Sequence, residues 1–108
     1  MTRCAVVGAG AWGTALANVL TANGHETLLW ARETDVVASI NDRRLNDRFL
    51  AGIPLSPSLR ATGDMGEALA GASLVVYVPP SHALRSVVRA GRDVVAADAT
   101  VVVARRAH

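Results

Sequence analysis

The stretch that decides the fold is Cys4-Ala-Val-Val-Gly-Ala-Gly-Ala-Trp-Gly-Thr-Ala-Leu-Ala17. Its apolar start predicts a buried strand, and the alanine-rich run that follows predicts the first turn of a helix. Between them stand Gly8, Gly10 and Gly13, at the spacing G-x-G-x-x-G. In that pattern the first glycine permits a tight turn, the second lets backbone approach a pyrophosphate, and the third lets helix and strand pack closely. Because unpaired N–H groups at a helix start attract phosphate, the stretch predicts a dinucleotide-binding turn.

The same glycines are also compatible with a turn that serves only close packing. Their place after an apolar strand and before an amphipathic helix favours the nucleotide-binding interpretation. The helix pattern puts five residues along one side: Trp12, Leu16, Val19, Leu20 and Asn23. Trp12 is therefore expected to flank a cofactor, to begin the buried face of the helix, or to do both.

Composition limits the class of protein. A chain of 108 residues with 51% apolar and 19% charged residues forms one globular domain at most. A net charge of +2 is too small to indicate a nucleic-acid partner. The single cysteine, Cys4, excludes an internal disulfide and is expected to be a buried thiol in a reducing cytoplasm. No run is long enough to span a bilayer and no signal peptide is evident, so we expect a cytoplasmic protein without membrane contact.

Strand and helix patterns alternate along the whole chain. Strands are predicted at residues 3–8, 27–31, 59–62, 73–78 and 100–104. Helices are predicted after the glycines, at residues 34–40 and 65–70, and after Ser81. This alternation predicts an α/β fold, a Rossmann-type doubly wound and mostly parallel sheet, in a single domain over residues 1–108.

Two further features depend on this arrangement. Residues 41–58 are expected to form an ordered excursion that is held by four apolar side chains, those of Phe49, Leu50, Ile53 and Leu55. The sheet edge after residue 104 would expose apolar surface and favour self-association into a homo-oligomer.

Ligands of a doubly wound sheet bind beyond the carboxyl ends of its strands. After the second strand stand Arg32 and Glu33. An acidic residue here accepts hydrogen bonds from the ribose of NAD, whereas an arginine accommodates the extra phosphate of NADP. The order favours NADP with NAD also accepted; the alternative is an exposed arginine with a solvated neighbour. His25 and His82 are expected to be structural, and the sequence contains neither a His/Cys metal cluster nor a nucleophile elbow.

Several runs together resemble NAD(P)-dependent glycerol-3-phosphate dehydrogenase. They are Gly8-Ala-Gly-Ala-Trp-Gly-Thr-Ala-Leu-Ala17, Asn23-Gly-His-Glu26, Leu29-Trp-Ala-Arg32, Ile40-Asn41, Asn46, Phe49-Leu50 and Pro80-Ser81-His82. The resemblance covers nearly the whole chain in register. The run Trp-Gly-Thr-Ala-Leu-Ala is specific to that family. Hydroxyacid and ketopantoate reductases share only the glycines, so we rank them well below it.

The resemblance implies hydride transfer between NAD(P)H and dihydroxyacetone phosphate, which makes sn-glycerol 3-phosphate for phospholipid synthesis. By position, it places Ala11 and Trp12 at the cofactor phosphates and Arg32 at the adenosine ribose or its phosphate. It also places Pro80 and Ser81, with His82, on the nicotinamide side.

The end of the chain departs from the family pattern. After the strand that ends at Ala104, family members have Thr-Lys-Gly, and this chain has Arg105-Arg106-Ala107. Arg106 stands at the position of a lysine that contacts substrate and cofactor, so we assign it to cofactor binding and assign no catalytic residue. The family's helical substrate domain has no counterpart in these residues. We therefore expect NAD(P) binding without turnover; the alternative is a non-catalytic or degenerate dinucleotide-binding module.

Overall fold

The computed structural model describes residues 2–78, 95 and 97–104. In these residues the chain order is β1 (Arg3–Val7), α1 (Ala11–Ala22), β2 (Glu26–Trp30), α2 (Thr34–Arg43), β3 (Arg60–Thr62), α3 (Met65–Leu69), β4 (Leu74–Tyr77) and β5 (Thr100–Val103). The predicted strands agree with these bounds to within one residue. The helix predicted after Ser81 lies outside the described residues.

The five strands form one sheet in the order β3-β2-β1-β4-β5, and each neighbouring pair is parallel. One face of the sheet packs against α1 and α2, in a core that includes Val6, Leu29, Val76, Ala17 and Ile40. The opposite face packs against α3, in a core that includes Ala5, Val7, Val75, Tyr77 and Leu69. Helices cover both faces, which confirms the predicted Rossmann-type doubly wound fold.

β1 occupies the centre of the sheet because it can be buried on both faces. Cys4 to Val7 have at most 1% of their surface exposed, as a continuous apolar run in a central parallel strand requires. The chain moves from β1 outward to β2 and β3, and then crosses to β4 on the other side of β1. This reversal puts the topological switch point between the carboxyl ends of β1 and β4, where doubly wound sheets bind ligands.

The buried face of α1 differs from the prediction. Gly13, Thr14, Ala17 and Thr21 are buried, whereas Trp12 is 58% and Val19 55% exposed. Leu16 and Leu20 are partly buried at the margin of the core. The small residues let the helix backbone lie close to the sheet, and the side chains of Trp12 and Val19 are turned away from it. The expectation that Trp12 begins the buried helix face is therefore wrong.

The excursion after α2 also differs in part. α2 continues to Arg43, three residues past the predicted end, and the left-handed φ of 57° at Arg44 ends it. Leu55 is buried, but Ile53 is 46% exposed and does not hold the segment. Phe49 and Leu50 pack against the core as partly buried residues. The fully buried Asn46 was not predicted as an anchor.

Two further features are the cap of α3 and the edge strand β5. The Asp64 side chain accepts a hydrogen bond from the Glu67 N–H at 3.2 Å and so caps the start of α3. β5 is an edge of the sheet within the described residues, with 43–49% of Val101, Val102 and Val103 exposed. Self-association through this edge stays a prediction. None of the helices in the described part of the chain is long and apolar enough to cross a membrane.

The burial of β1 and β4 predicts how stability depends on pH. Burial raises the pKa of the Cys4 thiol and of the Tyr77 hydroxyl. Above the unfolded-state pKa values, about 8.5 for cysteine and about 10 for tyrosine, the unfolded chain releases protons that the folded chain retains. These two groups should therefore leave the free energy of unfolding unchanged below about pH 8.5 and should lower it as the pH rises further.

Urea denaturation between pH 7 and pH 10.5 measures this dependence. Cys4→Ala should remove the decrease that begins first, and Tyr77→Phe should remove only the decrease that begins near pH 10. A wild-type free energy of unfolding that stays constant across the whole range would contradict the prediction.

Candidate functional site

The turn between β1 and α1 leaves the sheet at Gly8. Gly8 has a φ of 122°, a left-handed conformation that glycine adopts readily and other residues avoid. Its N–H donates to the Trp30 carbonyl at 3.1 Å, which extends the pairing of β1 with β2 by one residue. The chain then turns away, so α1 begins directly above the carboxyl end of the central strand.

Gly13 and Gly10 lack side chains for different reasons. A Cβ at Gly13 would lie 1.8 Å from the Gly8 carbonyl oxygen, a contact that no side chain can make. A Cβ at Gly10 would meet no described atom within 4 Å, and its φ of −68° suits any residue. Packing within the chain therefore requires glycine at position 13, whereas Gly10 leaves a stretch of backbone open on its outer side.

The first turn of α1 presents backbone donors beside that open stretch. Gly10 is the N-cap, and the first hydrogen bond into the helix runs from the Thr14 N–H to the Gly10 carbonyl at 3.0 Å. The N–H groups of Ala11, Trp12 and Gly13 precede this bond and have no acceptor in the helix. The first turn carries no acidic side chain. Together with the positive end of the helix dipole, these groups suit an anion such as phosphate.

Trp12 stands at the outer side of the same turn, and Ala11 beside it is exposed. Of the two positions considered for the indole, the buried one is wrong because 58% of Trp12 is exposed. A position flanking a ligand held at the helix start stays a prediction, and the same applies to contact by Ala11.

The carboxyl end of β2 brings a cation to the same edge of the sheet. Arg32 is exposed, and within residues 2–78 and 97–104 its side chain has no ion-pair partner. By contrast, Arg43 and Arg48 are paired with Asp47 and Asp35 at 2.7 and 3.2 Å. A hydrogen bond of 3.0 Å from the indole N–H of Trp30 to the Gly63 carbonyl ties the end of β2 to the turn after β3. Arg32 thus follows directly after a strand whose end is fixed by this hydrogen bond.

A buried amide supports the glycine turn from behind. The Asn46 side chain donates to the Ala9 carbonyl at 3.0 Å and to the Thr14 hydroxyl at 2.8 Å. Sequence reasoning noted Asn46 only within the family resemblance, because an asparagine in a charged segment gives no sign of burial. Its partners lie 37 and 32 residues away along the chain.

The remaining site predictions lie outside the described residues. They concern Pro80, Ser81, His82 and Arg106. Among the described residues, no group of three or more His, Cys, Asp or Glu side chains could hold a metal ion. The structure thus brings together Gly8, Gly10, Ala11, Trp12 and Gly13 in one turn, with Arg32 at the end of the neighbouring strand.

A parallel sheet covered on both faces, with this turn at its switch point, defines the Rossmann-type dinucleotide-binding domains. A family model described as the NAD-dependent glycerol-3-phosphate dehydrogenase N-terminus matches residues 3–106. The chain belongs to this family. This membership favours the predicted family over the hydroxyacid and ketopantoate reductases.

Individual relatives agree with the family match. The glycerol-3-phosphate dehydrogenase (NAD(P)+) of Stenotrophomonas maltophilia is 52% identical over 88 residues, which are 82% of this chain and 26% of that protein. The enzyme of that name from Myxococcus xanthus is 54% identical, over 80% of this chain and 26% of the relative. The crystal structure of glycerol-3-phosphate dehydrogenase from Coxiella burnetii superposes with a TM-score of 0.89 at 31% identity, covering 97% of this chain and 32% of that one. The chain spans about a quarter of the length of the curated relatives it matches.

The contrast between the two glycines gives a stability test. Gly13→Ala should lower the free energy of unfolding by about 3 kcal/mol, since the added methyl group overlaps the Gly8 carbonyl and the backbone must shift. Gly10→Ala should change it by less than about 1 kcal/mol, because the added methyl group meets open space and the poorer N-cap offsets the entropic gain. Chemical denaturation of both variants measures the difference. Equal losses of stability would show that the turn does not have the packing described.

Proposed function

We propose that this chain binds NADP or NAD and forms the cofactor-binding part of a glycerol-3-phosphate dehydrogenase. The observation that carries the proposal is the open backbone at Gly10 beside the first N–H groups of α1, which have no acceptor in the helix. A pyrophosphate needs both close backbone approach and several donors without a competing carboxylate. The family membership of the chain supports the same cofactor class.

The proposed contacts follow from the position of each group. Gly8 and Gly13 set the shape of the turn, and Gly10 with Ala11 and the backbone of Trp12 receives the pyrophosphate. The exposed indole of Trp12 flanks the bound cofactor. When bound, the nicotinamide supplies the hydride that is exchanged with the substrate. The part of this chain that the structure describes binds and orients the dinucleotide.

We assign the preference between the two cofactors to Arg32. A guanidinium is always charged and matches the geometry of a phosphate, so it can receive the extra phosphate of NADP at the end of β2. Its exposure and its lack of an ion-pair partner among the described residues leave it available for this contact. NADP is therefore the preferred cofactor, with NAD also accepted.

The proposed reaction is hydride transfer between NAD(P)H and dihydroxyacetone phosphate, giving sn-glycerol 3-phosphate for phospholipid synthesis in the cytoplasm. The names of the relatives support the substrate. Pro80 and Ser81 are proposed to line the nicotinamide side, and Arg106 to contact the cofactor. The chain spans about a quarter of the length of those relatives, and we assign no substrate-holding group among its described residues.

A second candidate is a dinucleotide-binding module that has no catalytic role. The sequence Arg105-Arg106-Ala107 favours it, because the family's Thr-Lys-Gly is replaced there. A guanidinium keeps the positive charge of the lysine but not its compact ammonium group. The two candidates share the cofactor site and differ in whether that site takes part in catalysis within a complete dehydrogenase.

Calorimetric titration with NADPH and NADH tests the cofactor site. The wild-type chain should bind both, NADPH more tightly. Arg32→Ala should weaken NADPH binding roughly tenfold, the loss expected for a charge-assisted hydrogen bond, and should leave the Kd for NADH within about twofold. Arg60→Ala is the matched control, because Arg60 is an exposed arginine at the amino end of β3. Equal affinities for the two cofactors, unchanged in Arg32→Ala, would contradict the assignment.

Turnover separates the two candidate functions from an independent enzyme. The chain mixed with NADPH and dihydroxyacetone phosphate should show no oxidation of NADPH above the blank, since a hydride moves only to a carbonyl held at near-attack distance. The Stenotrophomonas maltophilia relative serves as the positive control in the same assay. Reduction of dihydroxyacetone phosphate by this chain alone would overturn the expectation of binding without turnover.

A further inference from the structure

Asn46 is the fully buried amide that joins the segment after α2 to the glycine turn. Its Nδ2 donates to the Ala9 carbonyl at 3.0 Å and to the Thr14 Oγ1 at 2.8 Å. The Thr14 hydroxyl in turn donates to the Ala9 carbonyl at 3.1 Å. These three bonds close a triangle that fixes the residue before Gly10 and the first residue with a hydrogen bond into α1.

The rest of the Asn46 residue is held just as firmly. Its Oδ1 accepts from the Phe49 N–H at 3.2 Å, and its backbone carbonyl accepts from the Leu50 N–H at 2.8 Å. Both hydrogens of the amide and its oxygen therefore have partners, as a buried amide requires. Further along the segment, the Ser56 N–H donates to Asn18 of α1 at 2.7 Å. The segment is thus braced against α1 at two places.

A turn built on glycines needs such support. Gly8 and Gly10 have more backbone freedom than any other residue type, so the turn does not hold its own shape. A site whose donors are backbone N–H groups binds tightly only when those groups already point in the required direction. Asn46 has no exposed surface and so acts on a ligand only through Ala9 and Thr14.

We infer that Asn46 is a positioning residue, whose amide holds the glycine turn in the shape that receives the cofactor. The inference rests on the proposed function and adds a residue from outside the glycine motif to the site. The competing explanation is that Asn46 stabilises the fold in general and has no particular effect on binding.

The chain contains a matched control for that explanation. Asn41 also uses both ends of its amide, donating to the Ala61 carbonyl at 2.9 Å and accepting from the Ala61 N–H at 2.8 Å. It ties α2 to β3 at the edge of the sheet, away from the glycine turn. Loss of the Asn41 amide should cost stability without changing the direction of the donors that begin α1.

The test compares Asn46→Ala, Asn41→Ala and Thr14→Val with the wild-type chain. Calorimetry gives the Kd for NADPH, and amide hydrogen exchange without cofactor gives the protection of the Gly8 and Thr14 N–H groups, which are hydrogen-bonded at the two ends of the turn. Asn46→Ala and Thr14→Val should each raise the Kd roughly tenfold and accelerate exchange in the turn. Asn41→Ala should change the Kd by less than about twofold and accelerate exchange in β3 instead.

Each outcome bears on the inference. A wild-type Kd in Asn46→Ala would overturn it, and so would equal increases in Asn46→Ala and Asn41→Ala. Should Asn46→Ala fail to fold, the near-isosteric Thr14→Val makes the same comparison. Failure of the wild-type chain to bind NADPH would overturn the proposed function alone. The exchange rates would still decide whether Asn46 positions the turn, because unchanged protection of the Gly8 and Thr14 N–H groups in Asn46→Ala contradicts a positioning role.

Discussion

The approach of α1 to the end of β1 is the contact on which the rest of the structure depends. With no side chain at Gly13, the first turn of the helix rests against the Gly8 carbonyl, where a Cβ would be only 1.8 Å away. Thr14 and Ala17 continue the contact with small side chains. The helix start is thereby held above the central strand, and its N–H groups face the switch point between β1 and β4. This one contact therefore determines both the packing of α1 on the sheet and the position of the candidate site.

The strands β1, β4 and β5 were predictable because each is built on a continuous apolar run. The packing of α1 was not, since two sets of positions fit the helical period. In the larger apolar set Trp12 and Val19 are exposed and the two leucines are only partly buried, whereas the smaller set around Ala17 is buried. Hydrophobicity favours the larger side chains for the buried face of α1. The close contact at Gly13, however, determines the distance between helix and sheet. Once this distance is short, only small residues fit along the interface.

The candidate site divides in the same way. The spacing of the glycines located the turn, because Gly8, Gly10 and Gly13 lie within six consecutive residues between a strand pattern and a helix pattern. The role of Asn46 depends on contacts with Ala9 and Thr14, 37 and 32 residues away, which no local pattern contains. Ile53 was chosen as an anchor for its hydrophobicity, yet it is exposed and the polar Asn46 is buried. Long-range hydrogen bonds, rather than local propensity, decide the packing of this segment.

A buried asparagine is an unusual choice if stability alone mattered. Its hydrogen bonds replace bonds to water, so their net contribution is about 1 kcal/mol each, and burial of the polar group offsets part of that gain. A leucine of similar size would bury more apolar surface at position 46. It would leave the Ala9 carbonyl to the Thr14 hydroxyl alone and could not orient either group. The amide therefore contributes more to the orientation of the Ala9 carbonyl and the Thr14 hydroxyl than to stability. A turn of glycines does not fix this orientation by itself.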